Sequence, residues 1–270
     1  MAQQPGPPIP SKIFVVPYRD RPVQRATFIK HMLEVLLVDE PVDSYKILFA
    51  NQCDTRPFNR GAMKNLGFLA VKRMYPVDYK NITIIFHDVD TYPAYKGLVD
   101  YDTAFLGSVS HYYGFNFALG GIVGIKGEDF FKSRGFPNFW GWGLEDNLLN
   151  KRCLAAGLTI NRDCFYQIRD PLIIRLFDGF IKNCFRREAV IYKQERPDDM
   201  FDLKNIKMSI ITLEDTRLID VNITQFLCNI LLDEQDMCPY DIRITNKIKI
   251  DPRFRRRVWK MNKMFSNNNT

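Results

Sequence analysis

Two acidic segments contain the residues whose types and spacing point most directly to chemistry. The first, PNFWGWGLED at 137–146, places two tryptophans and two glycines directly before the adjacent acids Glu145 and Asp146. Indole rings stack on flat or ring-shaped ligands, and glycines allow a backbone to approach a ligand closely. Two adjacent acids offer a general base or a clamp on sugar hydroxyls. The segment therefore favours a site that handles a ring-shaped, hydroxylated ligand.

The second segment, FHDVD at 86–90, follows an apolar run at 82–86 that predicts a buried strand. Val89 lies between the two acids, so an extended chain presents Asp88 and Asp90 on the same side. Carboxylates that close repel each other, and a divalent cation bound to their oxygens would relieve this repulsion. The alternative is a surface turn capped by an aspartate. Together the two segments indicate transfer from a nucleotide-activated sugar.

The elements that must position these acids begin in the order βαβαβ. Apolar periodicity predicts strands at 12–18, 45–50 and 82–86, helices at 27–38, 59–74 and 145–156, extended segments at 104–109 and 121–125, and two late strands within 206–220. This order predicts an α/β fold with an at least partly parallel sheet. In such sheets ligands gather at the carboxyl ends of the strands, where both Asp88 and Asp90 fall.

Two basic groups fall at the same edge of the predicted sheet. Arg19 and Arg21 follow the first strand, and Phe58 and Arg60 precede the second helix. Guanidinium groups grip phosphates with two hydrogen bonds, and a helix N-terminus attracts anions. The alternatives are an ordinary pair of surface arginines and a core phenylalanine beside a helix-capping Asn59.

Composition limits the class of protein only broadly. The 270 residues, 46% of them hydrophobic, are enough for one sizeable core. The 38 Lys and Arg against 31 Asp and Glu give a net charge of +7, which favours anionic ligands in general. Much of the excess lies at 243–263, which is either a solvated basic helix or a contact for a membrane or acidic partner. Nucleic-acid binding would rest on this cluster alone.

The sequence predicts a disordered lead-in at 1–10, a catalytic domain at 11–225 and a basic C-terminal extension at 226–270. No apolar run reaches the roughly eighteen residues of a membrane helix, and 1–10 lacks the features of a signal peptide. The six cysteines lack CxxC spacing, which favours free thiols of a reduced compartment. We therefore expect a soluble cytoplasmic protein, with the Golgi lumen as the alternative if the sequence is part of a longer anchored protein.

Five ordered blocks resemble the β-1,4-galactosyltransferase family, which has the GT-A fold. They are PYRDR at 17–21, FNRGA at 58–62, FHDVDTYP at 86–93, GGI at 120–122 and GFPNFWGWGLED at 135–146. The resemblance covers roughly residues 12–165, with a weaker echo at 203–221. It implies a Rossmann-like mixed sheet flanked by helices, an inverting reaction and a UDP-sugar donor used with Mn²⁺.

The resemblance also assigns a role to each matching residue. Asp146 would be the general base, Glu145 would hold the donor sugar or the acceptor, and Asp90 would bind Mn²⁺. The remaining residues would bind the donor: Pro17, Arg19, Arg21, Phe58, Arg60, Asp88, Val89, Gly121, Trp142 and Gly143. Of these, Trp142 and Gly143 would lie on a loop that closes over the donor.

Three departures from the family pattern bear on the metal, the acceptor and the donor. The family's Met-x-x-His metal element has no counterpart with a histidine at 165–170, which leaves weaker binding, other ligands or no metal as alternatives. Leu144 replaces a glycine and Asn147 an aspartate in the acceptor region, so the usual GlcNAc acceptor is not expected. Ala118 stands where galactose-selective members have an aromatic residue, which implies room for an N-acetyl group.

The sequence therefore predicts a UDP-sugar-dependent hexosyltransferase of the β-1,4-galactosyltransferase type. It would move galactose or N-acetylgalactosamine to a glycan or glycoconjugate hydroxyl with inversion. The alternative is a catalytically inactive protein of the same fold that binds a nucleotide sugar or a glycan. Asp90, Glu145 and Asp146 argue against this alternative, because a binding module has no need of a base.

Overall fold

The computed structural model describes residues 8–177, 179–194 and 198–241, in which strands and helices alternate over the first half. The strands are β1 Lys12–Tyr18, β2 Tyr45–Gln52, β3 Thr83–His87, β4 Thr91–Pro93, β5 Ser108–Gly114, β6 Ile122–Lys126, β7 Thr159–Asn161, β8 Tyr166–Gln167, β9 Ile173–Arg175, β10 Ile181–Phe185, β11 Lys204–Thr212, β12 Leu218–Leu227 and β13 Met237–Asp241. The helices are α1 Pro22–His31, α2 Arg60–Met74, α3 Gly127–Lys132, α4 Glu145–Ala155 and α5 Arg186–Ile191.

A nine-stranded mixed sheet forms the centre of the fold. Its main path runs β11-β12-β2-β1-β3-β6-β5-β7, with β8 also paired to β5. The strands from β12 to β3 are parallel to one another, while β6 runs antiparallel to both β3 and β5. Two small sheets, β4 with β9 and β10 with β13, flank it. The carboxyl ends of β1, β2 and β3 thus open on one edge, as expected of an α/β fold.

Side chains of β1 alternate between two apolar cores, one on each face of the sheet. Ile13 and Val15 belong to the core that α2, α3 and α4 cover, and Phe14 and Val16 belong to the core that α1 covers through Phe28. Both faces are therefore buried, which explains why the central strands are continuous apolar runs. The expected layered α/β architecture is confirmed.

Helix starts follow local capping chemistry. The first helix begins at Pro22, five residues before the predicted start, because proline at the first helical position loses no hydrogen bond. It continues as π-helical turns over Met32–Leu36. The second helix starts one residue inside its predicted range, and the Asn59 side chain accepts the Ala62 backbone N–H.

Strand prediction was less accurate after the third strand. The extended segment expected at 104–109 was wrong, because β5 begins only at Ser108 and continues to Gly114. The two late strands expected within 206–220 exist as β11 and β12, both longer than predicted. All six cysteines are free thiols. Within the described part of the chain, no helix combines the length and the apolar character needed to cross a membrane.

The division into a lead-in, a catalytic domain and an extension stays a prediction. Most of the lead-in and the basic cluster at 243–263 lie outside the described residues.

A buried amide network joins α2 to the segment that leads into the tryptophans. The side-chain Nδ2 of Asn65 donates to Phe136 O at 2.8 Å and to Asn138 Oδ1 at 3.0 Å, and its Oδ1 accepts the Phe136 N–H at 2.9 Å. The Asn59 side chain donates to Asn138 O at 2.9 Å. All three asparagines are fully buried. The start of the 137–146 segment is therefore fixed against the helix that follows β2.

We expect Asn65→Ala to lower the free energy of unfolding by about 3 kcal/mol, because it leaves the Phe136 N–H and carbonyl buried without their partner. Denaturant unfolding measures this change. The control is Arg73→Ala, on the exposed face of the same helix, which should cost less than about 0.5 kcal/mol. Equal effects of the two substitutions would contradict this description of the network.

Candidate active site

A cleft at the carboxyl ends of β1 and β3 contains eight of the residues predicted to bind the donor or the metal. Its lining consists of Pro17, Arg19, Arg21, Phe58, Arg60, Asp88, Val89 and Asp90. Three guanidinium groups, one aromatic ring and two carboxylates therefore meet in one place. This combination suits a nucleoside diphosphate, because arginines bind phosphate oxygens and the ring stacks on a base.

The two aspartates after β3 are each held by an arginine. Arg60 Nη1 lies 3.2 Å from Asp88 Oδ2, and Arg21 Nη1 lies 3.7 Å from Asp90 Oδ2. Burial alone lowers the pKa of Arg60, but the charges of Asp88 and Glu145 raise it more, so the guanidinium stays charged. The carbonyl of Gly121, the predicted donor-binding residue directly before β6, accepts the Asp88 backbone N–H at 3.2 Å. The aspartates are thus fixed at the rim of the cleft.

The carboxylate oxygens in this cleft suit a hard divalent cation that takes only some of its ligands from the protein. Carboxylate oxygens of Asp88 and Asp90 are the ligand type that such ions prefer. Among the described residues, no group of three or more His, Cys, Asp or Glu side chains comes together to hold a metal. An ion at Asp90 would therefore take its other ligands from a diphosphate and water, as ions in nucleotide sites commonly do.

The segment that lies beside Asp90 is not the one expected from the sequence. Residues 165–170 contain β8, which pairs with β5 rather than with the aspartate segment. Instead, β9 runs antiparallel to β4, and the Leu176 N–H donates to Asp90 O at 2.7 Å. Placing the metal element at 165–170 was therefore wrong, because strand pairing brings 173–176 to the aspartates. This segment contains no histidine either.

Leu144 sets the entry into α4 through an unusual backbone conformation. Its φ is +71°, in the left-handed region that costs a non-glycine residue about 1–2 kcal/mol. This explains in physical terms why a glycine would be the easier residue there. The turn places Glu145 and Asp146 at the first two positions of α4, where the helix dipole favours negative charge.

Glu145 is buried and only partly compensated by cations. Arg60 Nε lies 4.0 Å from its Oε1, and its Oε2 has no hydrogen-bond partner among the described residues. Burial, followed by the charge of Asp146, raises the pKa of Glu145 to about 7, against the opposing effects of Arg60 and Lys64. A buried carboxyl oxygen without a partner is suited to a ligand hydroxyl. The role of Glu145 as a sugar-holding residue stays a prediction.

Asp146 lies between α2 and the glycine pair. Its Oδ1 is 3.1 Å from Lys64 Nζ, and its backbone carbonyl accepts the Leu119 N–H at 3.0 Å. A Cβ added to Gly120 would lie 2.0 Å from Asp146 Oδ2, so only glycine permits this approach. Ala118 is buried two residues before Gly120, in a turn closed by its N–H bond to Phe115 O. The predicted base, Asp146, therefore contacts the short segment that contains the predicted selectivity residue, Ala118.

The tryptophan segment is held by residues far along the chain. The Trp142 N–H donates to Asn183 O at 2.7 Å, and its indole stacks on Tyr240 at 6.1 Å between ring centroids. Trp140 is buried, stacks on Phe226 at 5.6 Å and donates its indole N–H to a backbone carbonyl at 2.9 Å. Trp140 is therefore a core residue, whereas the half-buried Trp142 stays close to the acids.

Glu188 is a functional candidate that sequence reasoning missed. Its carboxyl oxygens accept the backbone N–H groups of Trp140 and Gly141, the latter at 2.9 Å. It is 3% exposed and lies in a cavity of about 850 Å³ on the far side of Trp140. Burial raises the pKa of Glu188 to about 8, although the two N–H groups oppose the shift. An acid in the short helix α5 gives no local sign of this contact.

Lys64 was also missed, although a signal existed. It lies four residues after Arg60, so both side chains project from the same face of α2. Its neighbours Met63 and Leu66 are apolar, and a lysine beside them is normally expected to reach solvent. In the structure Lys64 is 1% exposed.

Comparisons with known proteins are consistent with this site. Residues 8–98 match a family model described as the N-terminal region of glycosyl transferase group 7, and residues 104–174 match one described as the N-terminal domain of galactosyltransferase. Beta-1,4-galactosyltransferase 7 of Drosophila melanogaster is 30% identical over 248 residues, which cover 84% of this chain and 71% of the relative. Xylosylprotein 4-beta-galactosyltransferase of Caenorhabditis elegans is 33% identical over 157 residues, which cover 55% of this chain and 52% of the relative.

Two solved structures share the fold. The catalytic domain of the Drosophila beta-1,4-galactosyltransferase 7 in complex with xylobiose has a TM-score of 0.63 at 22% identity, over 80% of this chain and 94% of that one. A mutant of the same Drosophila enzyme in complex with manganese, UDP-Gal and xylobiose has a TM-score of 0.64 at 21% identity, over 82% and 95%. Human beta-1,4-galactosyltransferase 5 is 32% identical over 156 residues, which cover 55% of this chain and only 39% of the relative's length.

Replacing Glu188 by glutamine should change how stability depends on pH. Native Glu188 keeps its proton to a higher pH than the unfolded chain does, so its contribution to the free energy of unfolding falls as pH rises from about 4.5 to about 8. Glutamine does not titrate. The wild type should therefore lose stability relative to Glu188→Gln between about pH 4.5 and about pH 8 in denaturant titrations.

A stability difference that does not vary with pH would contradict the buried position of this acid. The control is Gln194→Ala, which changes the exposed lining of the same cavity without removing a titrating group. This variant should keep the pH dependence of the wild type.

Proposed function

The chain belongs to the β-1,4-galactosyltransferase family, and we propose that its cleft transfers a hexose from a UDP-sugar to a glycan hydroxyl with inversion. The observation that carries this proposal is the convergence of Arg19, Arg21 and Arg60 on Asp88 and Asp90 in one cleft. Guanidinium groups would neutralise the diphosphate and Asp90 would bind its cation.

The donor is a UDP-hexose, and Mn²⁺ is the cofactor. The solved Drosophila relative binds UDP-Gal together with manganese, which supports both statements. Asp90 is the residue that we expect to hold the ion, with Asp88 beside it on the nucleotide sugar. A bound Mn²⁺ supplies charge neutralisation to the diphosphate as it leaves. The small side chain of Ala118 supports a donor pocket that also accepts N-acetylgalactosamine.

For the acceptor we propose a glycan that ends in xylose. The Drosophila structure contains xylobiose, and the nematode relative is named for a xylosylprotein acceptor. Leu144 and Asn147 differ from the residues expected for a GlcNAc acceptor. The half-buried Trp142 offers a ring face for stacking on such a sugar.

The chain's own residues supply the remaining steps. Asp146, at the start of α4, takes the proton from the acceptor hydroxyl as that oxygen attacks the anomeric carbon. Glu145 accepts a hydrogen bond from a sugar hydroxyl through its buried Oε2 and so orients the ring. Attack from the face opposite the departing UDP inverts the anomeric centre. Trp142 and Gly143 cover the donor and exclude water.

A catalytically inactive binding protein is the weaker candidate. Such a protein would need the arginines and the aspartates of the cleft, but it would not need Asp146 held by a buried lysine. The pairing of Asp146 with Lys64 at 3.1 Å therefore favours an enzyme.

Asp146→Asn tests the proposed base. Asparagine keeps the shape of the side chain but cannot take the acceptor proton, so kcat should fall by about 10²–10⁴-fold. The measurement is release of UDP from UDP-Gal in the presence of Mn²⁺ and an aryl β-xyloside, with an aryl β-GlcNAc as the comparison acceptor. Donor binding, measured by calorimetry, should stay close to that of the wild type.

Asp163→Asn is the matched control, because Asp163 is exposed and its replacement removes an aspartate outside the cleft. A wild-type kcat in Asp146→Asn would exclude this residue as the base. Absence of turnover in the wild-type protein with every donor and acceptor would favour the inactive binding protein.

Ala118→Tyr tests donor selection. The phenol ring would fill the space next to Gly120, so the ratio of UDP-GalNAc to UDP-Gal turnover should fall. The control is Ala118→Ser, which adds little volume and should leave the ratio close to that of the wild type. The same ratio in all three proteins would rule out Ala118 as a selectivity residue.

A further inference from the structure

A buried lysine contacts the proposed base, and its presence in the core needs a physical reason. Lys64 is 1% exposed, and its Nζ lies 3.1 Å from Asp146 Oδ1. A lysine is almost never fully buried unless its charge is paired. Its aliphatic stem is on the side of α2 that meets the sheet, with the ammonium 4.5 Å from the centre of the Phe136 ring. Asp146 is the carboxylate that compensates this charge.

Two cations one turn apart on α2 face two successive acids at the start of α4. Arg60 Nε lies 4.0 Å from Glu145 Oε1, and Lys64 Nζ lies 3.1 Å from Asp146 Oδ1. Because each cation of α2 pairs with one acid of α4, the contact between the two helices orients the carboxylates of Glu145 and Asp146 together. Because an ammonium is a compact point charge, it can hold one oxygen of Asp146 and leave the other accessible.

The other oxygen of Asp146 is next to the glycine pair. Asp146 Oδ2 lies where a side chain on Gly120 would be, and the Asp146 carbonyl accepts the Leu119 N–H. The Asp146 side chain is 25% exposed, so a ligand can reach it, whereas the Lys64 side chain is 2% exposed. The lysine therefore acts on the reaction only through the aspartate.

We propose that Lys64 is a positioning residue for the transfer reaction, which holds Asp146 Oδ1 so that Oδ2 meets the acceptor hydroxyl. This inference rests on the proposed function of Asp146 as the base. The pairing fixes the rotamer of Asp146 before the acceptor arrives.

The charged groups around Asp146 define what removing Lys64 should change. Lys64 and Arg60 face it from α2, and Glu145 adjoins it on α4. Replacing Lys64 takes away the contact that orients Asp146, so kcat should fall while the KM for the donor stays close to that of the wild type.

The test compares Lys64→Met with Lys72→Met in the full chain. Both lysines belong to α2 and both lie over aromatic rings, since Lys72 Nζ is 4.1 Å from the centre of the Phe131 ring. Only Lys64 touches the proposed site. We expect kcat to fall by about 10–100-fold in Lys64→Met, with little change in the KM for the donor, because small misplacements of a catalytic group have effects of this order. Lys72→Met should keep both the kcat and the KM of the wild type.

A double-substitution cycle separates positioning from general destabilisation. In an Asp146→Asn background, Lys64→Met should lower kcat no further, because the group that it orients has already lost its function. Melting temperatures of all variants identify any loss of fold. If Lys64→Met unfolds the protein, Lys64→Arg replaces it, and its kcat should lie between those of the wild type and Asp146→Asn.

The outcomes distinguish this inference from the proposed function. If the wild type is active and Lys64→Met has the same kcat as Lys72→Met, the role of Lys64 is overturned and Asp146 remains the base. Additive losses in the cycle would also overturn it. No turnover by the wild type would mean that the proposed function itself is wrong.

Discussion

The site depends on the packing of α2 against the start of α4 and the end of β3. This contact brings two cations, Arg60 and Lys64, to the carboxylates of Asp88, Glu145 and Asp146. Without the cations, three acids this close would repel one another and favour protonation. With them, a partly buried anionic cluster can persist beside a cleft that must itself accept a diphosphate. The charges of the two helices therefore have to be balanced before a ligand binds.

The same helix also fixes the segment that carries the acids. Asn59 and Asn65 hold the chain at 136–138, and the tryptophan block follows directly. Downstream residues then hold the block from the other side, through Glu188, Asn183 and Tyr240. These three residues lie beyond the part that the two family models cover. The geometry of the Trp142 loop thus depends on a region in which the sequence offered little guidance.

Local patterns were enough to predict the residues at the sheet edge. Asp88 and Asp90 follow an apolar strand, and side-chain alternation places them together, as the structure has them. The arginines at 19, 21 and 60 were found because strand ends and helix starts are recognisable from the sequence. Contacts between distant segments could not be found in this way. A lysine between Met63 and Leu66 is normally solvated, and nothing local shows that Asp146 will face it. The partner of Asp90 was misplaced for the same reason, because the pairing of β9 with β4 is a property of the whole fold.

Calorimetric titration of UDP-Gal, with and without Mn²⁺, tests the central claim most directly, using the wild type and Asp90→Asn. We predict that the wild type binds the donor only with Mn²⁺ and that Asp90→Asn loses this binding, because Asp90 is the proposed protein ligand of the ion beside the arginines. Donor binding that is equally tight without Mn²⁺, or unchanged in Asp90→Asn, would contradict the assignment of the cleft as a metal-assisted donor site.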